Sequence, residues 1–427
     1  MKNIGKKIYQ LCKVLFPINR SITGDGVRKT LDIIKEQLPH LVLHEVPTGT
    51  KCFDWIIPKE WNISDAYIID PNGNKVVDFK ENNLHVVGYS KSIDCIMDLE
   101  QLNDHLYSIP SNPAAVPYIT SYYKETWGFC VSHNQRKKMV SGKYKVYIDS
   151  TLSDGSLTYA ELLIPGEIKD EIFLSTYMCH PSMANNELSG PALTTFLAEY
   201  IQKIKKTRYS YRIIFIPETI GSIMYLSKHL KYLKENVVAG FNITCVGDNN
   251  TYSYLPSRRE NSLSDKVALH VLEHSPLEYK KYSFLERGSD ERQYCSPGID
   301  LPICSVMRTK YAEYEEYHTS LDNLYYISGD GLSGAYDVYK KMIDLLENNY
   351  TYKCNILCEP QLGKRGLYPT TSTKETHEIV ADQMNFLAYC DGSLDLIDIA
   401  NIIKTPAWNL YDIINKFLEH GIISRVR

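Results

Sequence analysis

Three short polar segments of the sequence contain side chains that could hold a metal ion and move a proton. The first includes His180 and Glu187, whose imidazole nitrogen and carboxylate oxygen are typical zinc ligands. The second includes Glu218, a carboxylate that could take a proton from a metal-activated water. The third includes His318, with Asp322 four residues later as a group that could orient the imidazole. These residue types together suit metal-assisted hydrolysis.

Each of these segments also has a purely structural interpretation. A histidine at a strand end often only packs, and His318 could belong to a solvated acidic loop. Glu218 could stabilise the start of a helix through the helix dipole. The surroundings of His180 favour a functional site, because a polar cluster follows an apolar strand there and ends in a Ser-Gly-Pro helix start.

A fourth segment, residues 286–294, is charged and centred on a glycine, and it contains Asp290 and Arg292. A second charged run occupies residues 258–260. Such loops could lie at the surface without a function, or they could hold the carboxylate or amine of a substrate through paired hydrogen bonds. We therefore predict Asp290 and Arg292 as substrate-binding residues.

The elements that must position these residues alternate between strands and helices from about residue 157 onward. This alternation predicts an α/β fold with a mainly parallel sheet and helices on both faces. Ligands of such sheets bind beyond the carboxyl ends of the strands. The strands predicted near 171–179 and 211–216 end at His180 and Glu218, so these side chains should meet.

The remaining sequence predicts two further parts of the chain. Short alternating runs separated by turn signals predict a β-rich insertion over residues 41–149, which leaves 1–40 and 150–352 for the α/β domain. A linker rich in Pro, Gly and Lys, from Glu359 to Pro369, precedes three helices and a short strand. That order is typical of a winged helix-turn-helix domain, which we assign to residues 360–427.

Composition excludes several classes of function. The 427 residues carry a net charge of −4, so no overall basic field points to nucleic acid or to an anionic membrane. The chain has no apolar run long enough for a membrane span and no signal peptide at its start, and its 11 cysteines are scattered as expected of free thiols in a reducing cytoplasm. Neither a Gly-x-Ser-x-Gly elbow nor a nucleotide-binding glycine motif is present.

The motifs, taken in order, resemble those of zinc aminopeptidases with two metal ions. They are His-Pro-Ser with Ala-Asn-Asn-Glu-Leu-Ser-Gly, then Pro-Glu-Thr-Ile-Gly-Ser, then Tyr-His-Thr-Ser-Leu-Asp-Asn. The whole chain is similar to bacterial aminopeptidase-like proteins of three parts, whose signature the opening at residues 16–28 also resembles. The resemblance implies that His180 and His318 are metal ligands and that Glu218 is the general base.

The sequence departs from that pattern at four positions where the resemblance implies acidic residues. Ser182 replaces the Asp that orients the first histidine, and Asn186 replaces the bridging Asp. Thr219 replaces the second Glu of a pair, and Thr244 stands at a later Asp ligand. Without these carboxylates the site lacks most of the negative charge that would hold two zinc ions about 3.5–4 Å apart, so we do not expect a two-zinc site.

A single zinc ion remains chemically adequate. His180, His318 and an oxygen of Glu187 or Asn186 would hold it and leave a fourth position for water. We therefore predict a metal-dependent, aminopeptidase-like hydrolase that cleaves a peptide or amide bond and acts in the cytoplasm. Its expected substrate is a peptide, an amide or a glycan-linked small molecule.

Two other classes of function compete with this prediction. The missing carboxylates are compatible with a peptidase fold that has lost catalytic activity and binds a peptide or glycan without cleaving it. The winged helix could instead make the chain a DNA-binding regulator, but four acidic and two basic residues occur in its last two helices: Asp395, Asp398, Asp412, Glu419, Lys404 and Lys416. A protein contact or dimerisation suits this tail better than DNA does, and a homo-oligomer is compatible with the sequence.

Overall fold

The computed structural model of the chain describes residues 3–367 and 374–426, apart from the side chains of 374–379. The end of the predicted linker, Tyr368 and Pro369, therefore lies outside the described residues. The chain divides into two compact units. One consists of residues 1–264 and 279–337, and the other of residues 265–278 and 338–427.

The first unit is built on an eight-stranded sheet, counted over the described residues. The apolar strand Glu171–Tyr177 lies near its middle and is buried throughout, as expected of a strand covered on both faces. It pairs in parallel with its two neighbours. The strand order is Val42–Pro47, Ser156–Ile164, Ser210–Ile216, Glu171–Tyr177, Val237–Asn242, Ile303–Met307, Tyr252–Leu255 and Tyr279–Lys281. The predicted α/β class with a mainly parallel sheet is confirmed.

Helices connect these strands and bury apolar faces with helical spacing. In the first helix, Ile8, Leu11, Cys12 and Leu15 are all buried, at the spacing that places them on one face. The main helices that lie within this unit are Ile4–Leu15, Asp25–Gln37, Ser189–Lys203 and Ile220–Asn236. The helices Leu263–Glu273 and Gly329–Asn348 cross the division between the two units.

The inserted region forms a separate antiparallel sheet with its own apolar core, which contains Phe129 and Tyr144. Its four strands, in order, are Lys75–Asp78, Glu60–Ile69, Lys143–Ser153 and Ile93–Asp98. The strand Val42–Pro47, which falls inside the predicted range 41–149, pairs instead with Ser156–Ile164 in the large sheet. The predicted insertion range thus includes one strand of the large sheet as well as the strands of its own sheet.

The second unit contains a small antiparallel sheet and short helices. The strand Thr351–Cys354 lies between Asp391–Asp395 and Ile423–Arg425, and it begins before the predicted domain start at residue 360. Further elements of this unit include the helices Lys374–Ala388, Leu396–Ile403 and Tyr411–Glu419. This is the set of elements expected of a winged helix-turn-helix.

A buried histidine links parts of this second unit that are distant in sequence. The backbone N–H of Ala407 donates to His270 Nε2 at 3.0 Å, which leaves the ring proton on Nδ1 facing Asn401 Oδ1 at 2.6 Å. The side chain of His270 is 1% exposed, and burial lowers its pKa below the usual 6.5. The ring therefore stays neutral in the folded chain and satisfies two buried polar groups.

Replacing this histidine should destabilise the second unit. We expect His270→Ala to lower its free energy of unfolding by about 2–4 kcal/mol, because two hydrogen bonds are lost and a buried N–H is left unpaired. Thermal or urea unfolding measures this, and His420→Ala, at an exposed position of the same unit, is the control. Because the unfolded chain binds a proton more readily than buried His270, stability should also fall as the pH drops below about 6.5. An unchanged unfolding midpoint in His270→Ala would contradict the assignment.

Candidate active site

Two neighbouring strands carry the first two predicted site residues to the same edge of the large sheet. The register pairs Tyr177 with Ile216, so the strands end side by side. The backbone N–H of Glu218 donates to the Cys179 sulfur at 3.3 Å, which joins the two loops. As a result, His180 Nε2 lies 3.7 Å from a carboxylate oxygen of Glu218.

The third predicted residue, His318, reaches the same place from a distant loop. Its ring centroid lies 5.3 Å from that of His180. The backbone of His318 has φ 54°, a left-handed conformation that is uncommon for a residue other than glycine. Its carbonyl accepts a hydrogen bond from the backbone N–H of Tyr118 at 2.9 Å. The structure thus brings His180, Glu218 and His318 together.

Tyr118 comes from the inserted region and lies against both histidines. Its ring centroid is 4.9 Å from His180 and 5.3 Å from His318. Its hydroxyl is 3.1 Å from the hydroxyl of Tyr122. Sequence reasoning missed both tyrosines. They carry no motif, and only the docking of the insertion onto the α/β domain brings them to the site.

Glu187 contacts the opposite ring nitrogen of His180. Its Oε2 lies 2.7 Å from Nδ1, and its side chain is fully buried. Which of the two groups donates in this contact depends on the tautomer of His180, and the contact holds the ring with Nε2 on the side of Glu218. Metal-bound histidines commonly have such a carboxylate behind them. The single π-helical turn Ala184–Leu188 holds Glu187 in place, and π-helical turns are frequent at functional sites.

Asp322 forms no hydrogen bond with the ring of His318, which it was predicted to orient, and binds other groups of the described chain instead. Its carboxylate accepts hydrogen bonds from the backbone N–H groups of Asn185 at 2.6 Å and Asn186 at 3.0 Å. It also accepts one from the hydroxyl of Tyr314 at 3.1 Å. Asp322 therefore fixes the backbone of the turn that carries Glu187.

The positions that lack the expected acidic residues are occupied by groups bonded within the protein. Thr244 Oγ1 lies 2.6 Å from the hydroxyl of Tyr177 and donates to the carbonyl of Asn186 at 2.9 Å. Ser182 donates to the carbonyl of Phe16 at 2.8 Å. These hydroxyls add no negative charge that a second divalent ion would need.

Several donor atoms in this region could hold a metal ion. Asn186 Oδ1 and Glu187 Oε1 are buried without a hydrogen-bond partner, an arrangement that costs free energy unless something binds them. One ligand atom from each of Cys179, His180 and Glu187 can also be chosen so that all three lie within 4.8 Å of one another. Imidazole nitrogen, carboxylate oxygen and thiolate sulfur are the ligands that zinc takes in proteins.

Burial controls the charges of these groups. It lowers the pKa of both His180 and His318 to about 3, so both imidazoles are neutral and keep a free lone pair at ordinary pH. Burial raises the pKa of Glu187 to about 8, an effect that the nearby Arg20 opposes. Burial and the neighbouring charge of Asp290 raise the pKa of Glu218 well above its usual value.

Arg20 is a second residue that sequence reasoning did not assign to the site. It lies in the Phe-Pro-Ile-Asn-Arg-Ser run and is 1% exposed. Its Nη1 donates to the carbonyl of Leu15 at 2.8 Å, and its charge acts on Glu187. The only sequence feature that could have pointed to Arg20 is its position in the signature of residues 16–28.

The predicted substrate-binding residues lie beside the Glu218 loop. The carboxylate of Asp290 is fully buried and accepts from the backbone N–H of Thr219 and the hydroxyl of Ser222, both at 2.8 Å. Arg292 Nη2 donates to Thr219 Oγ1 at 2.7 Å. Thr219 itself has a left-handed backbone with φ 64°. Asp290 thus fixes the loop that carries Glu218, and Arg292 reaches the residue next to it.

Comparisons with known proteins agree with this organisation. Residues 9–349 match a family model described as a domain of unknown function (DUF4910), and residues 350–425 match one described as a winged helix-turn-helix. A protein of Clostridium acetobutylicum is 50% identical over 398 residues, or 93% of this chain and 91% of that protein. It is provisionally named a polysaccharide biosynthesis protein with an aminopeptidase-like domain. The chain belongs to this family of aminopeptidase-like proteins.

Solved structures place the aminopeptidase-like protein within a wider fold. A crystal structure from Clostridium acetobutylicum, provisionally named a peptidase, has a TM-score of 0.94 at 46% identity and covers 100% of this chain and 97% of its own. A zinc aminopeptidase from Bacillus subtilis has a TM-score of 0.57 at 12% identity, covering 81% of this chain and 94% of its own. The predicted zinc-aminopeptidase-like fold and winged helix are confirmed.

One further finding concerns membranes. None of the helices in residues 3–367 and 374–426 combines the length and the apolar character that crossing a bilayer requires.

Proposed function

We propose that the aminopeptidase-like protein is a metal-dependent hydrolase that cleaves a peptide or amide bond. The observation that carries this proposal is the convergence of His180 Nε2 and Glu218, 3.7 Å apart, with His318 beside them and Glu187 behind His180. Convergent ligands and a carboxylate in a buried site are the parts that metal-assisted hydrolysis needs. The proposal extends the family assignment to an activity.

His180 and His318 would hold one zinc ion through their neutral imidazoles. The unpartnered oxygens of Asn186 and Glu187 are candidates for the third donor. Because Glu187 Oε2 already contacts Nδ1 of His180, we propose that Glu187 acts at least by positioning this ligand. When bound, zinc polarises a carbonyl oxygen and makes a water nucleophilic at neutral pH.

Glu218 would move the proton during cleavage. Its carboxylate takes a proton from the attacking water as the new carbon–oxygen bond forms, and it then gives this proton to the amide nitrogen as the carbon–nitrogen bond breaks. The hydrogen bonds from Thr219 and Ser222 to Asp290 hold the loop on which Glu218 lies. The rings of Tyr118 and Tyr122 would exclude bulk water from one side of the site.

The stoichiometry of the metal is the direct test of this proposal. We expect close to one zinc ion per chain, because both histidines are present while Thr219 and Thr244 stand where carboxylate ligands are expected. Mass spectrometry of protein purified without a histidine tag measures it. Two tightly held ions, or none after zinc is supplied, would contradict the proposal.

A second candidate function is binding of a peptide or glycan without cleavage. The replacement of carboxylates by Thr219, Thr244 and Asn186 favours it. The relative named for polysaccharide biosynthesis makes amide-bearing sugars suitable members of the substrate panel, together with aminoacyl amides and short peptides. Absence of turnover across that panel with zinc, cobalt or manganese would favour the binding function.

The winged helix is proposed to serve a protein contact and not DNA binding. The acidic residues Asp395 and Asp398 both lie within ion-pair distance of Lys266, so this cation is already paired within the unit. DNA binding needs cations that contact phosphates. A salt-dependent mobility shift with duplex DNA would overturn this proposal.

A further inference from the structure

A cavity of about 620 Å³ lies beside the loop that carries Glu218, and its charged groups are mainly guanidinium groups. Its walls include Arg258, Glu260, Phe284, Arg287, Arg292 and Gln293. Neither the family match nor the proposed cleavage chemistry assigns this cavity a role. Its volume is in the range of small-molecule sites.

Arg292 connects the cavity to the proposed catalytic loop. Its Nη2 donates to Thr219 Oγ1 at 2.7 Å, and Thr219 directly follows Glu218 in the chain. The Nε of Arg292 is buried and has no hydrogen-bond partner. One donor of this guanidinium therefore holds the catalytic loop, while another is left unsatisfied.

The charges of the cavity wall are unbalanced. Arg258 is neutralised by Asp300, whose Oδ1 accepts from Nε at 2.8 Å and whose Oδ2 accepts from Nη2 at 2.6 Å. In the described part of the chain, neither Arg287 nor Arg292 has a carboxylate within 4.0 Å. The guanidinium of Arg287 lies 4.9 Å from the centroid of the Phe284 ring, which supports it at the cavity wall. Arg287 and Arg292 thus remain without an ion pair in the cavity wall, which also contains Glu260, while the charge of Arg292 acts at longer range on the buried carboxylates of Glu218 and Asp290.

The carboxylate of Asp290, two residues before Arg292 in the chain, does not line the cavity. Asp290 is fully buried, and its Oδ1 already accepts two hydrogen bonds from the protein. Because guanidinium groups outnumber carboxylates in its wall, the cavity suits an anion better than a positively charged amino group. Guanidinium groups bind carboxylates and phosphates through paired, charge-assisted hydrogen bonds.

We infer that this cavity binds an anionic group of the substrate, a carboxylate or a phosphate, through Arg287 and Arg292. The inference rests on the proposed hydrolase function and narrows its substrates to molecules with an acidic group near the bond that is cleaved. An acidic peptide end and a phosphorylated or acidic sugar share this chemistry. Arg292 would then link anion binding to the loop that carries Glu218.

The test is a binding titration of the full-length protein with glutarate, with inorganic phosphate and with the neutral analogue glutaramide. It is run before and after chelation, because a bound metal ion would itself attract anions. Chelated wild-type protein should bind at least one of the two anions more tightly than glutaramide. The tighter of the two then identifies the anion class as carboxylate or phosphate.

The double variant Arg287→Gln Arg292→Gln should weaken that binding about tenfold or more. Arg287→Gln alone should weaken it severalfold, and since Arg287 is exposed this variant should fold normally. The matched control is Arg259→Gln, which removes the same charge from an exposed neighbour outside the cavity wall. Equal binding of glutaramide and both anions, or unchanged anion binding in the double variant, would overturn the inference.

These outcomes are separate from those of the proposed hydrolysis. If the wild-type protein shows no turnover of any substrate but still binds the anion, the hydrolase proposal is contradicted and the anion site is still supported. The protein could instead hydrolyse peptides with a free terminal carboxylate and their amides equally well, and show no preference for phosphorylated substrates. That result would contradict the anion site alone.

Discussion

Glu218→Gln is expected to reduce hydrolysis by about 10²–10⁴-fold while the protein keeps its metal. Glutamine has almost the same shape as glutamate but cannot accept a proton from the attacking water. The Glu218 carboxylate lies 3.7 Å from His180 Nε2, at the end of a strand next to the one that precedes His180. Steady-state kinetics on the best substrate of the panel, together with metal analysis, measures both effects.

The matched control is Glu235→Gln, which makes the same chemical change at an exposed position of the helix Ile220–Asn236. That variant should keep both turnover and metal. If Glu218→Gln loses metal together with activity, Glu218 is itself a ligand and the base must be another group. Retention of wild-type turnover would remove Glu218 from the mechanism.

His318→Ala is expected to lose both metal and activity. The substitution removes one of the two proposed imidazole ligands. The zinc affinity should fall by more than about 100-fold, since even losing a group that only orients a ligand costs 10–100-fold. Metal titration and mass spectrometry measure this loss. His40→Ala, at an exposed position, should retain both metal and activity.

A folding defect must be separated from the loss of a ligand in this variant. The His318 ring stacks on Tyr317 with centroids 3.9 Å apart, so its removal also affects packing. His318→Gln keeps much of the volume and should also lose the metal, while its unfolding midpoint stays closer to that of the wild type. Metal retained at full affinity in both variants would show that His318 is not a ligand.

The sequence predicted the large-scale organisation because its signals are local. Alternation of apolar strands and amphipathic helices is read within windows of ten to twenty residues, and it indicated a mainly parallel sheet. Because parallel strands end at one edge of a sheet, the sequence alone also predicted that His180 and Glu218 lie together. The limits of the domains were harder to predict from the sequence. The strands Val42–Pro47 and Thr351–Cys354 belong to their sheets because they pair with segments far away in the chain.

Within the site, residue types could be predicted but several contacts could not. The sequence offered Glu187 as a metal ligand but did not indicate that its Oε2 lies 2.7 Å from Nδ1 of His180. It offered Asp322 as a partner of His318, yet Asp322 binds backbone N–H groups of residues 184–186. Both outcomes depend on the path of a single π-helical turn, which no periodic pattern encodes.

By itself, the sequence determined which strands form the parallel core and which polar side chains follow them, because apolar periodicity and strand direction fix both. Only the tertiary structure decided that Tyr118 lies against both histidines and that Arg292 joins a cavity to the Glu218 loop. Those contacts join segments separated by about 60 to 200 residues, and their positions depend on how whole elements pack. Local sequence signals carry no information about such long-range packing.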